Sequence, residues 1–419
     1  MAPLAAWYLG VDWGSAQHHG CLQDATGQVV AECVVPHSHA GLTTLVAWLR
    51  THTHDALPAV AAALEVPTGP VVTALREAGV AVTHINPKQL QRCRERATAA
   101  GVKDDRRDAW TLATARRTDA AAFHPVPADD DPRYVTLREL TRLERELLES
   151  REQLTQRLRT QLHATQPALL ALVPAADEPW LWTLLTLAPT PAAAARLRPS
   201  RMAALLRTHR IRRVDAATVL TALRTPPLPA APGVLAAQAT RLAYLLPQLA
   251  LLEAQHRDCT RAITQALAAL DTPPEDPTGP SDVAILRSCA GAGAKVVSTL
   301  LAEWGAGLAT TPLAALRAYA GVAPVTKASG KQRLVVMRYA CNHALRNAMY
   351  WWAQRSIALD AAARALYTRA RARGHSHARA LRSVADRWLR ILVALLTTRT
   401  TYTRRPCLPL PDAAGAAPA

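Results

Sequence analysis

The stretch Trp7-Tyr8-Leu9-Gly10-Val11-Asp12 settles the class of the fold. Apolar but for its last residue, it is too short for a helix and suits a buried strand that ends on a carboxylate. Outward from it, residues 18–23 and 28–35 read as two more strands, joined by Asp24-Ala25-Thr26-Gly27, a hairpin turn. A helix over Gly41–Arg50 follows. Residues 58–65, Pro58-Ala59-Val60-Ala61-Ala62-Ala63-Leu64-Glu65, form a second buried strand with an acid at its end. A helix near 69–78, a strand at 80–85 and the helix opener Asn86-Pro87 complete the pattern. Three antiparallel strands followed by alternating strands and helices predict an α/β domain over residues 1–125.

A late helix in this domain carries two more acids. Gly101-Val102-Lys103-Asp104-Asp105-Arg106-Arg107-Asp108-Ala109 runs into the helical Trp110-Thr111-Leu112-Ala113-Thr114-Ala115. If the helix begins near Lys103, Asp105 and Asp108 lie three residues apart and share one face. Two carboxylates on one face repel unless a cation lies between them, although acids also suit a solvated first turn. Asp104 is a substitute for Asp105 in composition but points about 100° away round the helix. With Asp12 and Glu65 at strand ends upstream, the order D…E…D-x-x-D supplies the oxygen ligands that Mg²⁺ takes together with water and substrate phosphates. Two such ions ~3.5–4 Å apart stabilise the attacking and leaving oxygens of an in-line phosphoryl transfer. The order of elements matches that of ribonuclease H-like domains, in which carboxylates collect at the ends of neighbouring central strands and on a late helix.

Beyond this domain the chain turns helical. Residues 134–163 form a charged amphipathic helix in which Leu140, Leu147 and Leu154 fall at heptad spacing, with Leu143, Leu158 and Leu162 near the same stripe. The stripe fits either a dimerising coiled coil over 134–165 or a long helix packed on its own domain. Residues 126–280 are expected to be a helical middle region, closed by the Pro-rich linker 271–280. Ile285–Gly305 reads as helix, Gly291-Ala292-Gly293 turn, helix. A loop over Val325–Lys331 follows, and then helix to Arg405, within a third domain at 281–405. Residues 406–419 read as a disordered tail.

The chain has 419 residues, half of them apolar, enough for two or three domains with cores of their own. Its formal charge of +17 attracts polyanions, nucleic acid first among them. Only five of the 49 basic residues are lysine, a bias that genome composition explains; the shortage of acids is not explained in that way. Residues 326–405 hold 17 Lys or Arg and two acids, Asp360 and Asp386, and so carry +15 of the total. Tyr350, Trp351 and Trp352 interleave with that charge and are expected in the core. The seven cysteines include no C-x-x-C pair, which argues against a zinc knuckle or disulfide framework and fits reduced thiols in a cytoplasm. The first residues lack a basic signal-peptide region, and no apolar run reaches the ~18 residues of a membrane span.

Ser329 lies in the loop between Lys327 and Lys331, which attract phosphate. Its hydroxyl is a poor nucleophile until its proton is taken, a task for a carboxylate cluster brought close. Leu9-Gly10-Val11-Asp12, Leu64-Glu65 with Thr68-Gly69, Ile85-Asn86-Pro87-Lys88 and Lys103–Ala109 resemble the N-terminal half of the DEDD-type insertion-sequence transposases, relatives of the Piv invertase with a RuvC-like domain. Gly291-Ala292-Gly293, Leu316–Pro324, Ser329-Gly330 and Asn342–Arg346 resemble that family's C-terminal transposase domain. The resemblance implies that Asp12, Glu65, Asp105 and Asp108 are Mg²⁺ ligands and that Ser329 forms a transient phosphoserine bond with DNA. It also implies a composite site between subunits of a homodimer or homotetramer, and a structured noncoding RNA that selects donor and target DNA. Lys327, Lys331, Arg333, Arg338 and Arg346 are the expected nucleic-acid contacts. The sequence departs from the family in having Val66-Pro67-Thr68-Gly69 after Glu65, where many members are one residue shorter, and Cys289-Ala290-Gly291-Ala292-Gly293 in place of Pro-Gly-Ile-Gly. A metal-dependent nuclease without a covalent intermediate and a non-catalytic basic nucleic-acid binder remain open. An actin-like kinase, suggested by Asp12-Trp13-Gly14-Ser15, needs a second Asp-x-Gly loop, and no other occurs.

Overall fold

The computed structural model describes residues 5–97, 104–126, 131–226, 228–229, 231–271, 279–308, 311–330 and 332–403. The chain divides into two compact units, Met1–Ala128 and Asp129–Ala419.

The first unit is α/β. Its strands are β1 (Trp7–Trp13), β2 (Gln17–Asp24), β3 (Val29–Pro36), β4 (Val60–Leu64), β5 (Ala81–Ile85) and β6 (Phe123–Pro125). Its helices are α1 (His39–His52), α2 (Pro70–Glu77), α3 (Pro87–Ala97) and α4 (Asp105–Thr118). The sheet order is β3-β2-β1-β4-β5-β6. The first three strands are antiparallel, β1, β4 and β5 run parallel, and β6 returns antiparallel to β5. The turn between β2 and β3 is the expected one: Asp24 Oδ1 accepts from the amides of Thr26, Gly27 and Gln28, and Gly27 takes the left-handed φ of 95°.

Alternation along the strands gives the sheet two buried faces. Leu9, Val11, Ala62 and Leu64 face one core with Leu45, Leu49, Val71 and Leu75 of α1 and α2. Ala63 and Ile85 face the other with Leu90 of α3 and Leu112 and Ala115 of α4. Gly10 belongs to this second face. A Cβ there would lie 1.9 Å from the Ala109 carbonyl oxygen, so α4 crosses β1 at a distance only glycine allows. The helix starts at Asp105 because Asp104 caps it, its side chain accepting from the Arg106 amide. Asp104, the possible substitute for Asp105, is thus the N-cap of α4; Lys103 lies outside the described residues.

The second unit is mostly helical. It comprises α5 (Pro132–Thr165), α6 (Pro167–Leu172), α7 (Pro179–Leu187), α8 (Pro191–Arg196), α9 (Pro199–Thr208), α10 (Ala216–Arg224), α11 (Pro232–Asp271), α12 (Asp282–Ser288), α13 (Ala294–Trp304) and α14 (Leu313–Tyr319). The hairpin β7 (Val325–Ser329) and β8 (Gln332–Val336) precedes α15 (His343–Leu359), α16 (Ala361–Ala372) and α17 (His377–Thr398). The long helices α5 and α11 pack together and contribute to two cores. Leu137 of α5 joins Cys259, Ile263 and Leu267 of α11 in the core with α12 to α17, against which Leu140 and Leu147 pack. Leu158 and Leu162 join Leu242, Leu246 and Leu249 in the core with α6 to α10, against which Leu154 packs. The heptad leucines are therefore spent within the chain, apart from Leu143, which is exposed.

Two expectations are corrected. Residues 325–331 were expected as a loop leading into helix, but Val325–Ser329 and Gln332–Val336 pair as a β-hairpin: Val325-Thr326 and Leu334-Val335-Val336 favour strand, and Gly330 takes the left-handed φ of 54°. Trp351 is 61% exposed, whereas Trp352 is fully buried and stacks on Trp388. The Gly291 turn between α12 and α13 is as expected; a Cβ on Gly291 would sit 2.8 Å from the Ser356 amide nitrogen. The expected linker falls mostly, and the expected tail wholly, on residues outside those described. Among the described residues no helix is long and apolar enough to cross a membrane.

Candidate active site

Parity on the strands decides where the acids point. Val11 and Leu64 are register partners on the parallel β1–β4 pair and both face the α1–α2 core. Asp12 and Glu65 each follow by one residue, so both turn to the opposite face, where α4 lies. Asp108 is buried in the first turn of α4, while Asp105 is exposed. Arg94 of α3 joins three of these elements. Its Nε and Nη2 donate to the two carboxylate oxygens of Asp108 at 2.6 and 2.8 Å, and its Nη2 stands 3.7 Å from Glu65 Oε2.

The electrostatics agree with the geometry. Burial, then the charges of Asp108 and Asp105, push the Asp12 pKa up to about 6; Arg94 opposes this and Glu65 adds to it. The other three acids, Asp105, Asp108 and Glu65, thus lie within electrostatic reach of Asp12. Among the described residues no three His, Cys, Asp or Glu side chains are gathered to close a shell on an ion by themselves. The Arg94 guanidinium instead meets Asp108 and Glu65 and bears on Asp12. The donor set is nonetheless all oxygen, which suits a hard divalent cation.

Sequence reading missed three neighbours. Arg94 sits on a helix that also bears Lys88, Arg92 and Arg96, so composition does not single it out. His19 is the register partner of Asp12 across the hairpin, with Nε2 4.0 Å from Asp105 Oδ2. Gly69, at φ 117°, lies where a Cβ would strike the Trp13 ring at 2.2 Å. A glycine in mid-strand was the one legible hint, at Gly10.

Ser329 belongs to the second unit. It is exposed at the end of β7, paired with Gln332. Arg333 is exposed on β8, Arg338 donates to the Ala323 carbonyl at 3.3 Å, and Arg346 is half-buried on α15. Lys331 lies outside the described residues, as does the side chain of Lys327.

Residues 9–167 match a family model for DEDD transposases of the IS110 type, described as "Transposase", and residues 283–368 match the model described as "Transposase IS116/IS110/IS902 family". Over 97% of its length the chain is 32% identical to the "Mini-circle putative transposase for IS117" of Streptomyces coelicolor, covering 98% of that protein. The chain belongs to the IS116/IS110/IS902 family of insertion-sequence transposases. The transposase is also 46% identical over 211 residues to "Putative transposase y4uE" of Sinorhizobium fredii, a match that spans 50% of the chain and 58% of that relative. The N-terminal family match contains Asp12, Glu65, Asp105 and Asp108, and the C-terminal one contains Ser329.

Proposed function

We propose that the transposase cuts and rejoins DNA with Mg²⁺ held by Asp12, Glu65, Asp105 and Asp108 and with Ser329 as the nucleophile. The observation that carries this reading is the convergence of Glu65 and Asp108 on one guanidinium, with the Asp12 carboxyl pushed up by burial and by the charges of its acidic neighbours. Bound there, Mg²⁺ would polarise the scissile phosphate and offset the charge that develops during its transfer. Arg94 keeps the cluster neutralised until the acids turn to the ion. The strand order, with three antiparallel strands first and two parallel strands beside β1, supports a ribonuclease H-like, RuvC-like reading of the first unit.

The exposed Ser329 side chain is open to an incoming strand. Its oxygen bonds to phosphorus as the bond from phosphorus to the departing strand oxygen breaks. The serine proton passes to a base, and the released strand leaves as a hydroxyl. Attack by the hydroxyl of another strand reverses these bonds, rejoins DNA and restores the serine. The positive C-terminal segment supports DNA, and a structured guide RNA, as partners. A homodimer or homotetramer would build the composite site.

The test is a denaturing gel of the protein incubated with labelled element-end DNA and Mg²⁺. A covalent protein–DNA adduct is expected, and it should vanish in Ser329→Ala. Full strand cleavage by Ser329→Ala would instead establish a metal nuclease without a covalent intermediate. Recombination at the wild-type rate by Asp105→Asn would refute the carboxylate quartet.

A further inference from the structure

Between the loop after α14, the start of α15 and α17 lies a cavity of about 110 Å³. It has room for several waters, hence for one tetrahedral oxyanion. Gly321, Val322, Met337, Tyr350, Arg346 and Arg382 are among its walls. The Arg346 side chain is held in place: its guanidinium donates toward the Cys341 sulfur, and a Cβ on Gly321 would lie 3.3 Å from its Cδ. Yet among the described residues its Nη1 is buried with no hydrogen-bond partner. Among the described residues Arg382 has no carboxylate partner, and burial together with the nearby Arg379 guanidinium lowers its pKa.

The two acids of residues 326–405 are both engaged elsewhere. Asp386, one turn after Arg382, bonds to Arg317 and Arg390. Asp360 accepts from Tyr402, caps α16 and sits 3.5 Å from Arg387. Two half-buried guanidiniums around one cavity, with no carboxylate among the residues that line it, are electrostatically costly. Their planar donors suit a phosphate, and the surrounding +15 segment draws a polyanion to them.

We propose that this cavity seats one backbone phosphate of a bound nucleic acid, shared by Arg346 and Arg382. The choice of nucleic acid as the polyanion rests on the transposase reading. Met337 follows β8, whose first residue pairs with Ser329. Five residues of strand put the cavity roughly 17 Å from the nucleophile's end of the hairpin. The seated phosphate is therefore not the one attacked, and the two arginines are positioning residues that hold the strand at a distance from the cut.

Fluorescence anisotropy with the full-length protein tests this, using a labelled DNA duplex and, separately, a labelled RNA duplex of the same sequence across a salt series. Arg346→Met and Arg382→Met should each weaken binding roughly 5- to 10-fold near 0.1 M salt and reduce the duplex salt slope by about 0.9. The double variant should lose little more than either single one, because one phosphate is lost once. A loss confined to DNA or to RNA names the strand that is seated. Unchanged affinity and slope on both probes overturns the seat, and so does a double variant that loses the full sum, which marks two independent surface charges. If a methionine variant does not fold, single methylphosphonates scanned along the duplex against wild-type protein replace it; one position must reproduce the same loss, and none doing so refutes the proposal. Adduct formation separates this from the catalytic reading: Asp105→Asn should abolish the adduct and leave the arginine-dependent binding intact.

Discussion

Gly10→Ala would test the placement of the acids most sharply. The added methyl would meet the Ala109 carbonyl oxygen at 1.9 Å, the Ala113 amide nitrogen at 2.5 Å and Leu112 Cβ at 2.9 Å. Ordinary contact begins at 3.4 Å, so α4 must retreat from β1 by about 1.5 Å. No flexible side-chain tip is available to absorb the clash, since two of these atoms are helix backbone. Overpacking of this kind costs about 1–3 kcal/mol, which a domain with intact cores survives. The chemistry should suffer more. Asp105 and Asp108 ride on α4 while Asp12 and Glu65 ride on the sheet, and a misplacement of ~1 Å costs on the order of 100-fold in rate. We therefore expect Gly10→Ala to fold, to bind DNA with wild-type affinity through the C-terminal basic segment, and to lose about two orders of magnitude in adduct formation. Thermal unfolding, anisotropy and the gel assay read the three quantities separately. Wild-type adduct formation by a folded Gly10→Ala protein would refute the reasoning, because the helix would then have moved without consequence for the site.

Two further predictions concern charge. Arg94→Met should destabilise the protein by about 2–3 kcal/mol, since it leaves the buried Asp108 carboxylate without its partner. Millimolar Mg²⁺ should then raise its unfolding temperature more than that of the wild type, and chelation should abolish the gain; equal shifts would mean that ion and arginine do not compete for the same acids. His84, on β5 against His124 of β6, is held neutral by burial and by its neighbour's charge, its pKa lowered to about 4. As pH falls below 6.5 the unfolded chain takes up a proton that the fold refuses, so stability drops between pH 6.5 and about 4, by at most about 3 kcal/mol. Asp12, raised to about 6, acts in the opposite direction over much of the same range, so the measurement is the difference between wild type and His84→Leu. A pH profile of unfolding temperature that is unchanged in His84→Leu would refute this assignment.

Much of the first unit was legible because each of its signals is local. The buried strands, the Asp24–Gly27 turn and the spacing of Asp105 and Asp108 all depend on neighbours within a few residues. What escaped depends on distant partners. β6 is three residues long and includes a proline, and only its pairing with β5 makes it a strand. The β7–β8 hairpin reads as a loop because Lys327, Ser329, Gly330 and Lys331 dilute its strand formers. The leucines of α5 carry a heptad signal that is the same for an external partner and for α11, and the sequence alone does not choose between them. Arg94 and Arg382 are two arginines among many; what sets them apart is which acids stand near them and which acids are already taken.

The acids and the glycine are linked by strand parity in a way that ties folding to chemistry. Gly10 and Asp12 are two residues apart, so the position that admits α4 and the carboxylate that must meet α4 necessarily share a face. Glu65 obeys the same parity through the Val11–Leu64 register. A slip of one residue in β1 would turn Leu9 and Val11 toward α4, remove the gap that the helix occupies and send Asp12 to the α1–α2 face. The hydrophobic pattern that forbids the slip for reasons of burial also fixes the direction of the acids. The interior of the sheet thus enforces the geometry of the site, and a substitution that keeps the acids but alters the parity of β1 should be as damaging to catalysis as removal of an acid.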